Sequence, residues 1–219
     1  MFITVNAKLI SKEELRTQVY ELIFDLDKSL PFIPGQYANL KVSENQWRSY
    51  SIVGLEATKM KFIIDTSPGG VASHYFEAIK VGDITKCIYP LGIFQLKPNQ
   101  KPKLFICTGS GIAPFIPMIN SLPHSLASQS ILLWGSRSEL RPFIDRYIPD
   151  NRLKSKYLCI SNPTPEFTGF KGRVTDALKQ LQLIDNQYDY YICGGLELVN
   201  DVAELLREAN ITDINYEQY

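Results

Sequence analysis

The segment Leu104-Phe105-Ile106-Cys107-Thr108-Gly109-Ser110-Gly111-Ile112-Ala113-Pro114 decides how the chain is read. Leu104 to Thr108 form an apolar run of strand length, the glycines break it, and a helix follows through Met118. A buried strand that turns through glycines into a helix is the opening of a parallel doubly wound sheet. The turn then lies beyond the carboxyl end of the strand, where such sheets bind ligands, and the glycines let a nucleotide approach the backbone. A lone glycine-rich loop is weak evidence, but this one sits in the strand-to-helix setting that the mechanism requires.

Toward the C-terminus the rhythm continues with strands at S-I-L-L-W-G (130–135), K-Y-L-C-I-S (156–161) and Y-D-Y-Y-I-C (188–193). Helices are expected near Leu140, from Thr175 and from Leu196. Toward the N-terminus the pattern is different. Six β-rich runs start at Ile3, Gln18, Gln36, Arg48, Lys61 and Ile84, with one short helix from Val71 to Lys80, which argues for a small antiparallel barrel. Between the halves, K-P-N-Q-K-P-K (97–103) has two prolines, three lysines and no apolar residue, the composition of a linker. The expected architecture is β plus α/β, with domains at 1–98 and 103–219.

Bulk properties agree with two ordinary globular domains: 219 residues, 45% hydrophobic and 21% charged. Lys plus Arg and Asp plus Glu both total 23, so no net field draws the chain to nucleic acid or an anionic membrane. No signal-peptide pattern opens the sequence and no run of about 18 apolar residues follows, so neither secretion nor membrane insertion is expected and the cytoplasm is the expected compartment. Cys87, Cys107, Cys159 and Cys193 lack C-x-x-C spacing, and only His74 and His124 could join them, so no metal site is expected.

Three further constellations carry chemistry. Arg48-Ser49-Tyr50-Ser51 puts a cation, a ring and two hydroxyls on one strand; alone it reads equally well as an amphipathic barrel strand. Ser67-Pro68-Gly69-Gly70-Val71-Ala72-Ser73 is a glycine-rich turn opening into a helix, either an anion cradle or simply a tight turn with a cap. Cys193-Gly194-Gly195 ends the last long strand, leaving room for a flat ring or marking a structural cysteine.

Taken in chain order, the four motifs resemble the ferredoxin-NADP reductase family over nearly the whole chain. Residues 48–51 match its arginine-x-tyrosine-serine flavin motif, Gly70 to Ser73 its helix start, Thr108 to Pro114 its T-G-x-G-I-A-P loop, and Cys193 to Gly195 its C-G-x strand end. Gly54 departs from the pattern, where a serine is common. The resemblance implies an FAD-dependent NAD(P)H oxidoreductase. Arg48 and Val71 to Ser73 would neutralise the FAD pyrophosphate, with Ser49 in the same strand motif. Tyr50 would pack on the isoalloxazine and Ser51 would hydrogen-bond the hydride-accepting N5. Ile63-Ile64-Asp65 aligns with the stretch along FAD, and Thr108, Gly109, Ser110, Gly111 and Pro114 form the nucleotide loop. Cys193, Gly194, Gly195 and Glu217 would shape the nicotinamide pocket.

The terminal Tyr216-Glu217-Gln218-Tyr219 resembles the ending of plant-type members, in which the last ring covers the flavin and must move for hydride transfer; a frayed terminus is the plain alternative. A 2′-phosphate would call for basic residues after the second strand of the nucleotide domain. Ser136 and Arg137 in W-G-S-R-S, and Arg173 in K-G-R-V-T, match such positions, whereas Asn162 stands where NADP-using bacterial members have a third basic residue. NADP(H) is favoured slightly over NAD(H). The implied partner is ferredoxin or flavodoxin. The alternatives are an NADH-dependent oxygenase-reductase component, a flavin or ferric reductase, and an electron-transfer subunit or nucleotide sensor without turnover of its own.

Overall fold

The computed structural model describes residues 2–136 and 144–219. The chain divides into two compact units, one running to Leu96 together with Ala113–Met118, the other comprising Lys97–Ile112 and Ile119–Tyr219. The expected helix near Leu140 lies outside the described residues.

The first unit is one antiparallel sheet of β1 (Ile3–Arg16), β2 (Val19–Leu26), β3 (Tyr37–Ser43), β4 (Gln46–Ser51), β5 (Gly54–Glu56), β6 (Lys59–Asp65) and β7 (Ile84–Leu91), in the order β4-β3-β7-β1-β2-β6-β5. Alternation drives it: Val5, Ala7 and Leu9 of β1 point into the core, where they meet Leu22 and Phe24 of β2 and Phe62 of β6. The short β5, an extension of the β6 hairpin, carries too few residues to be read from periodicity. Helix α1 (Val71–Ala78) joins the core through buried Phe76.

The second unit is a parallel sheet of β8 (Lys103–Thr108), β9 (Ile131–Gly135), β10 (Ser155–Ile160), β11 (Phe170–Lys171), β12 (Asp189–Gly194) and β13 (Ile214–Gln218), in the order β11-β10-β9-β8-β12-β13. The chain winds outward from β8 in one direction as far as β11, then returns to the other side of β8 with β12. The order therefore reverses at β8, and the glycine loop at its carboxyl end occupies the switch point at which doubly wound sheets open a crevice. Helices α2 (Phe115–Ser121) and α3 (His124–Ala127) follow β8 in sequence. Helices α4 (Val174–Gln180) and α5 (Leu196–Glu208) bury Val174, Leu178, Val199 and Leu206 in the core that holds Ile106, Leu133 and Ile192 of the sheet.

Two features differ from the sequence expectation. The C-terminal residues add a parallel edge strand, β13, to β12 through the register Cys193↔Glu217. Lys103, read as part of a solvated linker, starts β8 fully buried, because Asp189 stands opposite it in β12 and accepts its ammonium at 2.7 Å. Among the described residues, no helix is long and apolar enough to cross a membrane, and no group of three or more metal-ligating side chains is assembled.

Candidate functional site

In the first unit, the Arg48 to Ser51 motif forms the last four of the six residues of edge strand β4. The Tyr50 ring is half-buried and packs edge-on against Phe76 of α1, with centroids 5.2 Å apart and planes at 85°. That contact ties the aromatic platform to the helix that follows the glycine turn. Burial pushes the Tyr50 phenol up to about 12, against the pull of the Arg48 charge, so the ring is neutral. Arg48 is exposed and lies back along its own strand, donating to the Trp47 carbonyl at 2.9 Å and to Gln46 Oε1 at 3.2 Å. Ser49 donates to Asn39 Oδ1 at 2.8 Å, and Ser51, half-buried, faces Tyr37 across the ladder.

The turn before α1 places Gly69 and Gly70 at φ +76° and +89°, where no atom lies within 4 Å of a Cβ built on either. Backbone there is open to an approaching group, and among the described residues no side chain caps the helix start. Val71 is exposed and Ala72 half-buried, whereas the Ser73 hydroxyl is spent on the Gly69 carbonyl at 2.8 Å, closing the turn onto the helix. Ile63 and Ile64 are buried and lie within the β2–β6 ladder, opposite Glu21 and Tyr20. Asp65 accepts the Ser67 amide at 2.9 Å and faces Arg16 at 3.7 Å.

In the second unit, Thr108 ends β8 and Gly109–Ile112 form a short 3-10 turn. The Tyr219 hydroxyl donates to the Thr108 carbonyl at 2.9 Å and accepts the Gly111 amide at 3.0 Å, and the Tyr219 amide donates to the Gly194 carbonyl at 3.3 Å. Gly111 must be glycine: a Cβ there would come within 2.3 Å of the Cys193 carbonyl oxygen. Thr108, Gly109, Ser110, Gly111, Cys193, Gly194 and Tyr219 are thus brought together. Sequence reasoning missed Trp134, whose indole N–H donates to the Gly109 carbonyl at 3.0 Å from strand β9; nothing local to W-G-S signals a partner 25 residues away. It also missed Phe76, legible only as an apolar position of α1.

Cys193 is 1% exposed. Burial, and then the Glu217 carboxylate, raise its thiol well above the usual range, and Cys107 is raised for the same first reason. Neither is a thiolate near neutrality, so Cys193 can shape a pocket but supplies no base. Arg173 precedes α4, highly exposed, with Glu197 of α5 at 3.4 Å. Ser136, half-buried, donates its amide to the Cys159 carbonyl, and Gly195 caps α5. Pro114 falls among the residues of the first unit, and Arg137 lies outside the described residues.

An antiparallel barrel-type sheet with an aromatic platform and an open glycine turn, followed by a doubly wound sheet with a glycine loop at its switch point, is the domain pairing of FAD- and NAD(P)-binding oxidoreductases. Residues 6–96 match the model of the oxidoreductase FAD-binding domain and residues 105–204 that of the oxidoreductase NAD-binding domain. The chain belongs to the ferredoxin-NADP reductase family. The toluate 1,2-dioxygenase electron transfer component of Pseudomonas putida is 31% identical over 199 residues, 85% of this chain and 58% of that protein. The chain therefore spans less than two thirds of that relative's length. A cytochrome P450 reductase from Amycolatopsis superposes with a TM-score of 0.86 at 21% identity, over 99% of this chain and 70% of the other. A ferredoxin NADP+ reductase from Neisseria gonorrhoeae, solved with FAD and NADP bound, gives 0.79 at 22% identity over 98% of both chains.

The residues present fit the flavin dinucleotide that the family model names. Gly69 and Gly70 leave a backbone cradle that a side chain would fill, the uncapped α1 start offers N–H groups to a pyrophosphate, and Tyr50 presents a braced, neutral ring beside it.

Proposed function

We propose that this chain is an FAD-dependent NAD(P)H oxidoreductase that takes hydride from a reduced nicotinamide nucleotide and passes single electrons to a separate carrier. Ferredoxin or flavodoxin is the carrier that family membership favours. FAD, when bound, supplies the exchange between two-electron and one-electron chemistry. Residues 1–98 form its domain and residues 103–219 the nucleotide domain. The observation that carries the reading is the braced Tyr50–Phe76 pair beside an open, uncapped glycine turn, in the same chain as a glycine loop at a sheet switch point.

Arg48 swings from Gln46, a weak exposed partner, to neutralise the pyrophosphate with the amides of Val71, Ala72 and Ser73. Tyr50 holds the ring plane, and Ser51 donates its hydroxyl proton toward the hydride-accepting nitrogen. The loop from Thr108 to Gly111 receives the nucleotide phosphates, with Pro114 ending it. Buried, protonated Cys193, with Gly194, Gly195 and Glu217, bounds the space for the nicotinamide, and the protein contributes orientation and exclusion of water. The chain works in the cytoplasm, a reading supported by its four buried free thiols, which suit a reducing compartment.

A second reading, an NADH-dependent reductase component of an oxygenase, draws on the toluate dioxygenase relative and on Arg173, whose nearby carboxylate at Glu197 opposes a 2′-phosphate. Steady-state turnover of the flavin-loaded protein with NADPH and NADH, against ferredoxin, flavodoxin and ferricyanide, separates the two. A preference for NADPH with ferredoxin or flavodoxin supports the first reading, and a preference for NADH with neither carrier supports the second. Absence of turnover with ferricyanide overturns both.

A further inference from the structure

Resting on the reading of residues 108–111 as the nucleotide loop, we propose that Trp134 is a positioning residue of that loop. It holds the Gly109–Ser110 peptide with its N–H turned away from the sheet, so that the N–H is preset to receive a nucleotide phosphate.

Trp134 lies in β9, directly opposite Cys107 of β8, and is 3% exposed. A buried indole N–H needs an acceptor. Here the acceptor is the carbonyl of Gly109, in the loop that leaves the adjacent strand, at 3.0 Å. A trans peptide carries its C=O and N–H on opposite sides. With the Gly109 oxygen drawn to the indole, the Ser110 N–H must point the other way.

The loop's own sequence does little to impose this orientation. Gly109 has φ +52°, in the left-handed region, and glycine reaches both signs of φ at little cost. The restraint comes from outside. Tyr219 holds the peptide before, through the Thr108 carbonyl, and the peptide after, through the Gly111 N–H. Trp134 holds the one between. Three consecutive peptides of the loop are therefore held by two aromatic side chains remote in sequence; Tyr219 itself takes the Gly111 N–H, so the Trp134 restraint is the one that persists when a ligand claims that donor. An anion site gains from donors already in place, because ordering them on binding would lower affinity.

The test uses the full chain with FAD bound. Trp134 is replaced by phenylalanine and, in a second variant, by benzothienylalanine, which keeps the ring shape and substitutes sulfur for the N–H. Binding of NADP+ and of NAD+ is titrated by calorimetry, and amide hydrogen exchange over residues 108–112 is followed without nucleotide. Loss of one neutral hydrogen bond should weaken binding of the nucleotides that bind by roughly three- to tenfold, with faster exchange at the loop and flavin content unchanged. The benzothienyl variant should reproduce both effects with its melting temperature preserved. Unchanged affinity and exchange in that variant overturn the proposal, as does a loss of stability with affinity intact. Faster exchange in a protein whose wild type binds neither nucleotide would instead overturn the reading of the loop and leave the restraint by Trp134 standing.

Discussion

The Tyr219 hydroxyl accepts the Gly111 amide at 3.0 Å while donating to the Thr108 carbonyl at 2.9 Å, so the last side chain of the chain clasps the first glycine loop of its own unit. The residue as a whole is 67% exposed, so the burial is confined to its hydroxyl end, held between the Thr108 carbonyl and the Gly111 amide. One hydroxyl thereby occupies a loop donor that the proposed nucleotide needs. Deleting Tyr219 should raise nucleotide affinity in inverse proportion to the fraction of time the clasp is open and weaken discrimination between NADPH and NADH. Burial holds the phenol up at about 12, against hydrogen bonds from Ser110 and Gly111, so the clasp stays protonated between pH 6 and 10. Calorimetry over that range should show no inflection that the deletion removes. Equal affinities in the intact and truncated chains would dismiss the clasp as a competitor.

Arg48→Ala should cost about 1.5–3 kcal/mol of FAD affinity, because a charge-assisted contact to the pyrophosphate is lost. Its present partners, the Trp47 carbonyl and Gln46, lie on an exposed strand edge, so fold stability should barely change. Fluorescence titration of the apoprotein with FAD reads the first quantity and a melting curve the second. FAD retention equal to wild type would remove Arg48 from the site.

Cys193→Ser and Glu217→Ala should each slow flavin reduction with FAD still bound. The Cys193 thiol, held neutral by burial and by Glu217, should add no pH dependence of its own below about pH 9. Stopped-flow reduction from pH 6 to 9 checks both points, and wild-type rates in both variants would separate these residues from the nicotinamide.

Lys103→Met should destabilise the second unit by up to about 3–5 kcal/mol, since it leaves a buried carboxylate only Asn99 and the more distant Lys101, at 3.8 Å. Burial raises the Asp189 pKa, but the Lys103 and Asn99 hydrogen bonds and the lysine charges outweigh it and leave the group below its ordinary value. A depressed folded pKa contributes stability that is full above the unfolded value, near pH 4, and is lost as pH falls below it. Replacing both Lys103 and Asp189 with apolar residues should restore most of the loss. Chemical denaturation of wild type and the two variants at pH 7, and of wild type down to pH 3, supplies the comparison.

Much of this architecture was legible in the sequence, and the reasons are local. Period-two runs such as Ile3 to Ile10 marked the antiparallel sheet, and Leu104 to Pro114 carried the strand and its glycine turn up to the residue before the helix. What escaped depends on partners distant in the chain. Lys103 reads as solvated linker until Asp189, 86 residues later, is placed beside it. The strand at Ile214–Gln218 has weak periodicity and exists because β12 offers an edge. Trp134 reads as strand filler because its indole N–H has no acceptor nearby in sequence.

The central claim is that hydride passes from a nicotinamide nucleotide to a flavin held by this chain. It is met most directly by mixing FAD-loaded protein with excess NADPH, and separately NADH, under anaerobic conditions and following the visible flavin absorbance by stopped flow. Rapid, saturable bleaching is expected with at least one nucleotide, slowed in Cys193→Ser. Flavin that stays oxidised with both nucleotides, in protein shown to contain stoichiometric FAD, would contradict it.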